Sequence, residues 1–310
     1  MDEKGNLIVN IKPTLRNPYI ICGLTGWVDG GEVSTGVVEY FIEQFKGKTF
    51  AEIPNSRYYV YQVPGEESLR PIFKMQEGLI VETQFPKNEF YYAVNPDSDR
   101  DLIFFRGTEP SLYWEEYADT VISLACSFGA ARLYVSGGVL DSTPYTREPV
   151  ISCACTSSKV KKEMEKYNVT FSSREGPATF NQMLLFASKR KNLEGMSLTA
   201  RVPYYPEYEV ALDYSAKSIE AILARLNNLM RLNINFTELN KEIKETERSL
   251  DLIRQQNPEF NAYIEELENN YLETQYHDPL NISPKEGIKL AEDFLRTNKY
   301  KPHGDNSAGG

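Results

Sequence analysis

Histidine is almost missing from this chain. Only His277 and His303 occur in 310 residues, both in the C-terminal region. A Ser–His–Asp or Cys–His triad needs an imidazole held inside a folded core, so nothing before residue 277 supplies one. Histidine-rich zinc sites fall on the same ground. Catalysis here would have to rely on carboxylates, Arg, Lys, Tyr or a borrowed metal. Four cysteines are too few for a disulfide framework in a chain this long. No apolar run approaches the ~18 to 20 residues that cross a bilayer, and MDEKGNLIVNIKP lacks the basic-then-apolar order of a secretory signal. A cytoplasmic protein with no membrane partner is expected. Positive charge is also short: the formal net charge is −10. Such a chain repels phosphate backbones, and nucleic acid is not expected as a partner.

Hydrophobic residues make up 41% and charged residues 25%, the mixture of an ordinary globular protein. PYIICGL, DLIFFRG, RLYVSGGVLD, VISCACT and MSLTARVPYYP read as buried strands. RYYVYQV, GLIVETQF and EFYYAV also read as strands, interrupted by EESLRPIF. Between them, EVSTGVVEYFIEQF places Val33, Val37, Tyr40, Phe41 and Ile42 on one helical stripe, and WEEYADTVISLACSF does the same with Trp114, Tyr117, Val121, Leu124 and Phe128. SSKVKKEMEKYN, with Ser157 or Ser158 as cap, GPATFNQMLLFASKRKN, with Pro177 near its first turn, and SAKSIEAILARLNNLMRL are further helices. Strands alternating with helices predict an α/β fold: a mixed, mostly parallel sheet flanked by helices. The strands between 50 and 95 predict an antiparallel extension or an edge hairpin.

From residue 235 apolar positions recur in steps of 3 and 4, broken at NPEF, which predicts a helical hairpin. It could grip a partner or pack on the core. The expected organisation is an α/β core over 1–232, a helical hairpin arm over 233–277, and a C-terminal helix with a disordered tail over 278–310.

The chemistry-bearing residues concentrate in glycine-rich corners. GLTGWVDGGEV joins the first long strand to its helix, with Gly26, Trp27, Asp29 and Gly30. It matches neither GxGxxG nor a Walker loop, since no lysine follows the glycines. Asp29 reads as the helix N-cap. FFRGTEP carries Arg106 and Glu109, whose simplest role is an ion pair bracing the loop. SGGVLDSTPYTR carries Gly138, Asp141 and Arg147, and SSREGPAT carries Glu175 and Gly176. In an open α/β sheet such corners meet at the C-terminal edge, where ligands bind. Cys153 and Cys155, on one face of a strand, read as two small core residues or as a metal or redox pair.

GWVDGGEVSTGVVEYF, PDSDRDLIFFRGTEPSLYW, VSGGVLDSTPYTREPV, SREGPATF and ARVPYYP stand in the order seen in the proteasome assembly chaperone family. The chain resembles that family over roughly residues 18 to 230. It departs where Val28 replaces a common Asn, where Gly30 replaces Ala, and where GPATF replaces GPTG. The resemblance implies a nucleoside-phosphorylase-like fold. It implies a chaperone that helps assemble rings without chemistry of its own, or a bacterial homo-oligomer, trimers being favoured. Some bacterial relatives carry labels such as ATP-grasp or carboxylate–amine ligase, but this sequence shows neither a two-domain grasp layout nor a recognisable glycine-rich lid over phosphates.

Two functions therefore stand open. The first is a non-catalytic, self-associating, protein-binding assembly factor with no catalytic residues, metal or cofactor. The alternative is an enzyme acting on a small nucleoside-, phosphate- or carboxylate-containing substrate at the sheet edge. In it Arg106 and Arg147 hold a small anionic ligand, Asp141 or Glu175 serves as base, and Asp29 holds a metal.

Overall fold

A computed structural model describes residues 6–62, 69–171, 173, 175–211 and 214–271. The elements run β1 (Ile8–Val9), β2 (Tyr19–Thr25), α1 (Val33–Gln44), β3 (Lys48–Glu52), β4 (Ile72–Gln76), β5 (Leu79–Gln84), β6 (Glu89–Ala93), β7 (Leu102–Thr108), α2 (Trp114–Ser127), β8 (Arg132–Asp141), β9 (Ile151–Cys155), α3 (Ser158–Met164), α4 (Phe180–Arg190), β10 (Gly195–Pro203), α5 (Pro206–Ala211), α6 (Ala216–Met230), α7 (Thr237–Gln256) and α8 (Pro258–Asn270). The main sheet has eight strands in the order β1-β3-β6-β7-β2-β8-β10-β9. Its centre, β7-β2-β8-β10, is parallel, and both flanks turn antiparallel.

Alternation along the strands builds two cores. Ile21, Leu102, Phe104 and Tyr134 face one side, where α1, α3 and α6 supply Val37, Phe41, Val160 and Ile222. Ile20, Cys22, Ile103, Phe105 and Val135 face the other, against Tyr117 and Val121 of α2 and Leu184 of α4. The central strands are thus buried on both faces, as parallel strands must be.

The local readings differ from the structure in four places. Of RYYVYQV, the described residues 57–62 form no strand: a 3-10 turn over Asn55–Arg57 leads into a bend. Tyr58 and Tyr59 fill the second core there, and the Tyr58 carbonyl accepts from the N–H groups of Ser111 and Leu112. The Ile-Phe pair of EESLRPIF opens β4 instead of breaking a strand. Pro177 lies outside α4, because Thr179 and Gln182 close a capping box and start the helix at Phe180. Asp29 is not the N-cap of α1; Glu32 occupies that position with left-handed backbone.

The antiparallel readings for 50 to 95 both occur. β3 and β6 extend the main sheet, while β4 and β5 form a separate two-stranded ribbon. The 236–271 segment forms the α7–α8 hairpin. Asn257 turns the chain by accepting from the N–H groups of Glu259 and Phe260, each at 3.1 Å. Leu239, Leu250, Phe260 and Ile264 join the first core. Tyr145 donates to Asp251 at 2.6 Å, and Lys217 meets Glu247 at 2.7 Å. The expected helix and tail over 278–310 lie outside the described residues. Among the described residues no helix is long and apolar enough to cross a membrane.

Leu250 is fully buried in this shared core. L250A should cost about 2–5 kcal/mol, read by urea denaturation as one transition shifted to lower urea. A separate early transition at unchanged main midpoint would instead make the hairpin an independent unit.

Candidate functional site

The parallel strands β7, β2, β8 and β10 end on one edge of the sheet, and the corners after them gather there. β2 and β8 pair only as far as Cys22 and Val135. Beyond that point they splay, and the strand order reverses: β2 leads to one side of the sheet and β7 crosses to β8 on the other. In open α/β sheets this crevice takes the ligand.

Here the chain's own groups fill it. Ser34 of α1 accepts from the Leu24 N–H at 3.0 Å and donates to the Ser136 carbonyl at 2.9 Å. Ser136 donates toward the carbonyls of Ser34, at 2.8 Å, and Cys22, at 3.1 Å. Both serines are buried, and they satisfy the backbone groups that the lost ladder leaves open. Asn181 of α4 adds a bond to the same Ser136 carbonyl at 3.0 Å.

Above this plug the turn lies directly on β8. Gly138 donates to the Val28 carbonyl at 2.8 Å, and Asp29 bridges Gly138. A Cβ on Gly138 would stand 2.2 Å from the Gly30 carbonyl oxygen, and one on Gly30 would meet Leu140. Backbone touches backbone here, and only glycine permits it.

Asp29 caps α1 from outside the cap position. Its Oδ1 accepts from the Thr35 N–H at 3.0 Å and its Oδ2 from the Thr35 hydroxyl at 2.9 Å. Burial pushes its carboxyl up to about 6, against those hydrogen bonds, with Glu32 adding to the rise.

A cleft of about 1550 Å³ opens beside the plug, between the corners after β2 and β7 and the β4–β5 ribbon. Of the predicted residues it collects Gly26, Trp27, Asp29, Arg106 and Glu109. The expected Arg106–Glu109 brace does not form. Arg106 instead pairs with Glu39 of α1 and lies opposite Glu89 in the β6–β7 register. Glu109 accepts the Trp27 N–H at 3.0 Å, and Gly26, at φ 145°, lies against that carboxylate. The Trp27 ring is left 69% exposed.

The other predicted residues stand apart from this cleft. Asp141 pairs with Arg201 at 3.0 Å and accepts the Ser142 N–H at 2.8 Å. Arg147 lines a separate 20 Å³ pocket beneath α7, with Lys217, Glu247 and Tyr271. Glu175 and Gly176 are exposed ahead of α4, and a Cβ on Gly176 would meet none of the described residues beyond its chain neighbours within 4 Å. The α7–α8 hairpin makes this division. Thr146 donates to Glu268 at 2.5 Å, so the loop after β8 is covered and Arg147 is drawn toward the hairpin.

The cleft also holds residues that sequence reading passed over: Glu39, Glu43, Glu82, Glu89, Arg70 and Lys87. Glu39 and Glu43 lie one turn apart on α1 and share a face, a spacing that was legible. Glu82 and Lys87 come from the ribbon and its exit, which only the fold brings near. Among the described residues, six carboxylates and three cations line the cleft, and Arg106 is already engaged. That balance suits a cationic guest over an anionic one. Among the described residues no group of three or more His, Cys, Asp or Glu could hold a metal.

The sequence profile of the PAC2 family matches residues 23–254. An uncharacterised protein of Methanocaldococcus jannaschii is 24% identical over 252 residues, which are 80% of this chain and 86% of that protein. Among solved structures, a proteasome-assembly chaperone homologue of Mycobacterium tuberculosis superposes with a TM-score of 0.70 at 22% identity, over 79% of this chain and 99% of its own. PbaB of Pyrococcus furiosus, an archaeal proteasome activator, gives 0.59 at 25% identity, over 80% and 97%.

The Asp29 carboxyl sits above its ordinary value in the folded state, so its contribution to stability is full below about pH 4 and lost as pH rises through about 6. D29N keeps an acceptor for the Thr35 N–H and removes the charge. Its stability relative to the parent should improve between pH 4 and pH 7 in urea titrations. D29A should lose about 1–2 kcal/mol at pH 4 through the missing cap. A pH-independent D29N difference would show that the carboxyl is not perturbed.

Proposed function

The chain belongs to the PAC2 family, and from that premise we propose a non-catalytic, self-associating protein that binds other proteins as an assembly factor. The β4–β5 ribbon carries this reading. Ile72, Phe73, Met75, Leu79, Ile80 and Val81 are each 48–69% exposed. Ile72 and Phe73 are adjacent in β4, so both faces of the ribbon are apolar. A lone two-stranded ribbon is marginal in water, and a contiguous apolar surface of this kind marks a contact with protein. The occupant we assign is a second copy of this chain, with three copies closing a ring by head-to-tail contacts.

The acidic cleft beside the ribbon is then the place for a client segment rich in lysine or arginine. Two features support a role without chemistry: the crevice at the strand-order reversal is filled by backbone and serine hydroxyls, and the cations that would hold an anion are apart or engaged. The names borne by the M. tuberculosis and P. furiosus neighbours, a proteasome-assembly chaperone homologue and a proteasome activator, fit an assembly role of this kind. The enzyme alternative draws no specific support from the cleft.

Size-exclusion chromatography with light scattering at micromolar concentration tests the self-association. The parent chain should run as a trimer. L79D/I80D, placed on exposed positions, should run as a monomer with an unchanged circular dichroism spectrum. A monomeric parent, or an L79D/I80D protein that remains a trimer, would remove the ribbon from this role.

A further inference from the structure

β9 is the last strand of the sheet, and its side chains alternate cleanly. Ala154 packs toward the second core, while Cys153 and Cys155 face the first. The two sulfurs stand 3.5 Å apart. Cys153 is buried and Cys155 half-buried, so the pair can be reached from solvent on one side only. The two thiols lie within hydrogen-bond reach of each other, and the charges of Lys161, Arg132 and Glu163 all act on Cys155. Arg132 is itself fixed between Glu163, at 2.9 Å, and Glu194, at 3.1 Å.

Three kinds of chemistry could use two such sulfurs. A disulfide is disfavoured, because residues two apart on a strand hold their Cα atoms about 6.7 Å apart, near the upper limit for that bond. Zinc asks for four ligands in a tetrahedron, and among the described residues no third His, Cys, Asp or Glu joins the pair. A soft monovalent cation asks for less: thiolate ligands select Cu(I), and two of them on one rigid strand suffice. Lys161 and Arg132 would offset the negative charge left when two thiolates hold one monovalent ion.

We propose that Cys153 and Cys155 form a two-thiolate site for a soft monovalent cation of the Cu(I) type, separate from the cleft at the other end of the fold's chemistry. Binding displaces the two thiol protons and forms two metal–sulfur bonds; no electron is transferred.

The test is anaerobic titration of the reduced full chain with Cu(I) presented as its bicinchoninate complex, followed by loss of that complex's colour. The parent should withdraw one equivalent per chain and C126S should do the same. C155S should withdraw none while keeping the parent circular dichroism spectrum. X-ray absorption on the loaded parent provides a readout that needs no variant, and should show a first shell of two sulfurs. A parent that withdraws no Cu(I), a C155S protein that withdraws as much as the parent, or a first shell dominated by nitrogen or oxygen would each overturn the site.

Discussion

β2 and β8 part company one residue beyond Val135, and the structure is organised around what fills the gap. A splayed pair of parallel strands leaves N–H and carbonyl groups without a ladder, and burying them unmatched would cost about 1–3 kcal/mol each. Ser34 and Ser136 meet that demand from opposite sides, and Asn181 completes it from the other layer. Helix α1 can reach the gap only because the turn before it lies flat on Gly138. The glycines and Asp29 of that turn follow from this geometry. Small residues allow the approach, and the carboxylate satisfies the helix end that the tight turn leaves uncapped.

Filling that gap bears on function. The crevice that other open α/β sheets keep for ligands is here part of the core. What remains open lies to one side, between the corners after β2 and β7 and a ribbon whose apolar side chains are exposed. Among the described residues, carboxylates outnumber cations on those walls. An acidic cleft next to exposed apolar strands is a surface suited to protein segments, and this is the surface on which the proposed assembly role rests. The Arg106–Glu39 pair on the cleft wall is partly exposed on both sides, so its net contribution to stability is small, about 0–1 kcal/mol. Its main effect is to hold the guanidinium against α1.

Much of the architecture was legible beforehand. The long strands and α1, α2 and α6 announce themselves because their apolar spacing matches the period of the element that buries them. The capping box at Thr179 was equally readable from its Thr-x-x-Gln spacing, and starting the helical stretch at Gly176 overlooked it. RYYVYQV misled because Tyr favours strands on average, whereas Tyr58 and Tyr59 use their rings to fill a core from a bend. The Arg106–Glu109 brace misled because nearness in sequence stood in for nearness in space; Glu39 on the packed helix is the nearer carboxylate.

The sequence by itself determined the class of fold, the order of its elements, the shortage of imidazole and the glycine corners at the strand ends, because these depend on local period and on residue chemistry. Tertiary structure alone decided which corners share a wall. The α7–α8 hairpin settles over the loop after β8 through Tyr145, Thr146 and Lys217 and draws Arg147 away from Arg106. The β4–β5 ribbon stands clear and supplies the opposite side of the cleft. The hairpin's placement rests on a contact between residues 122 positions apart, and no local pattern encodes which distant surface a helix will meet.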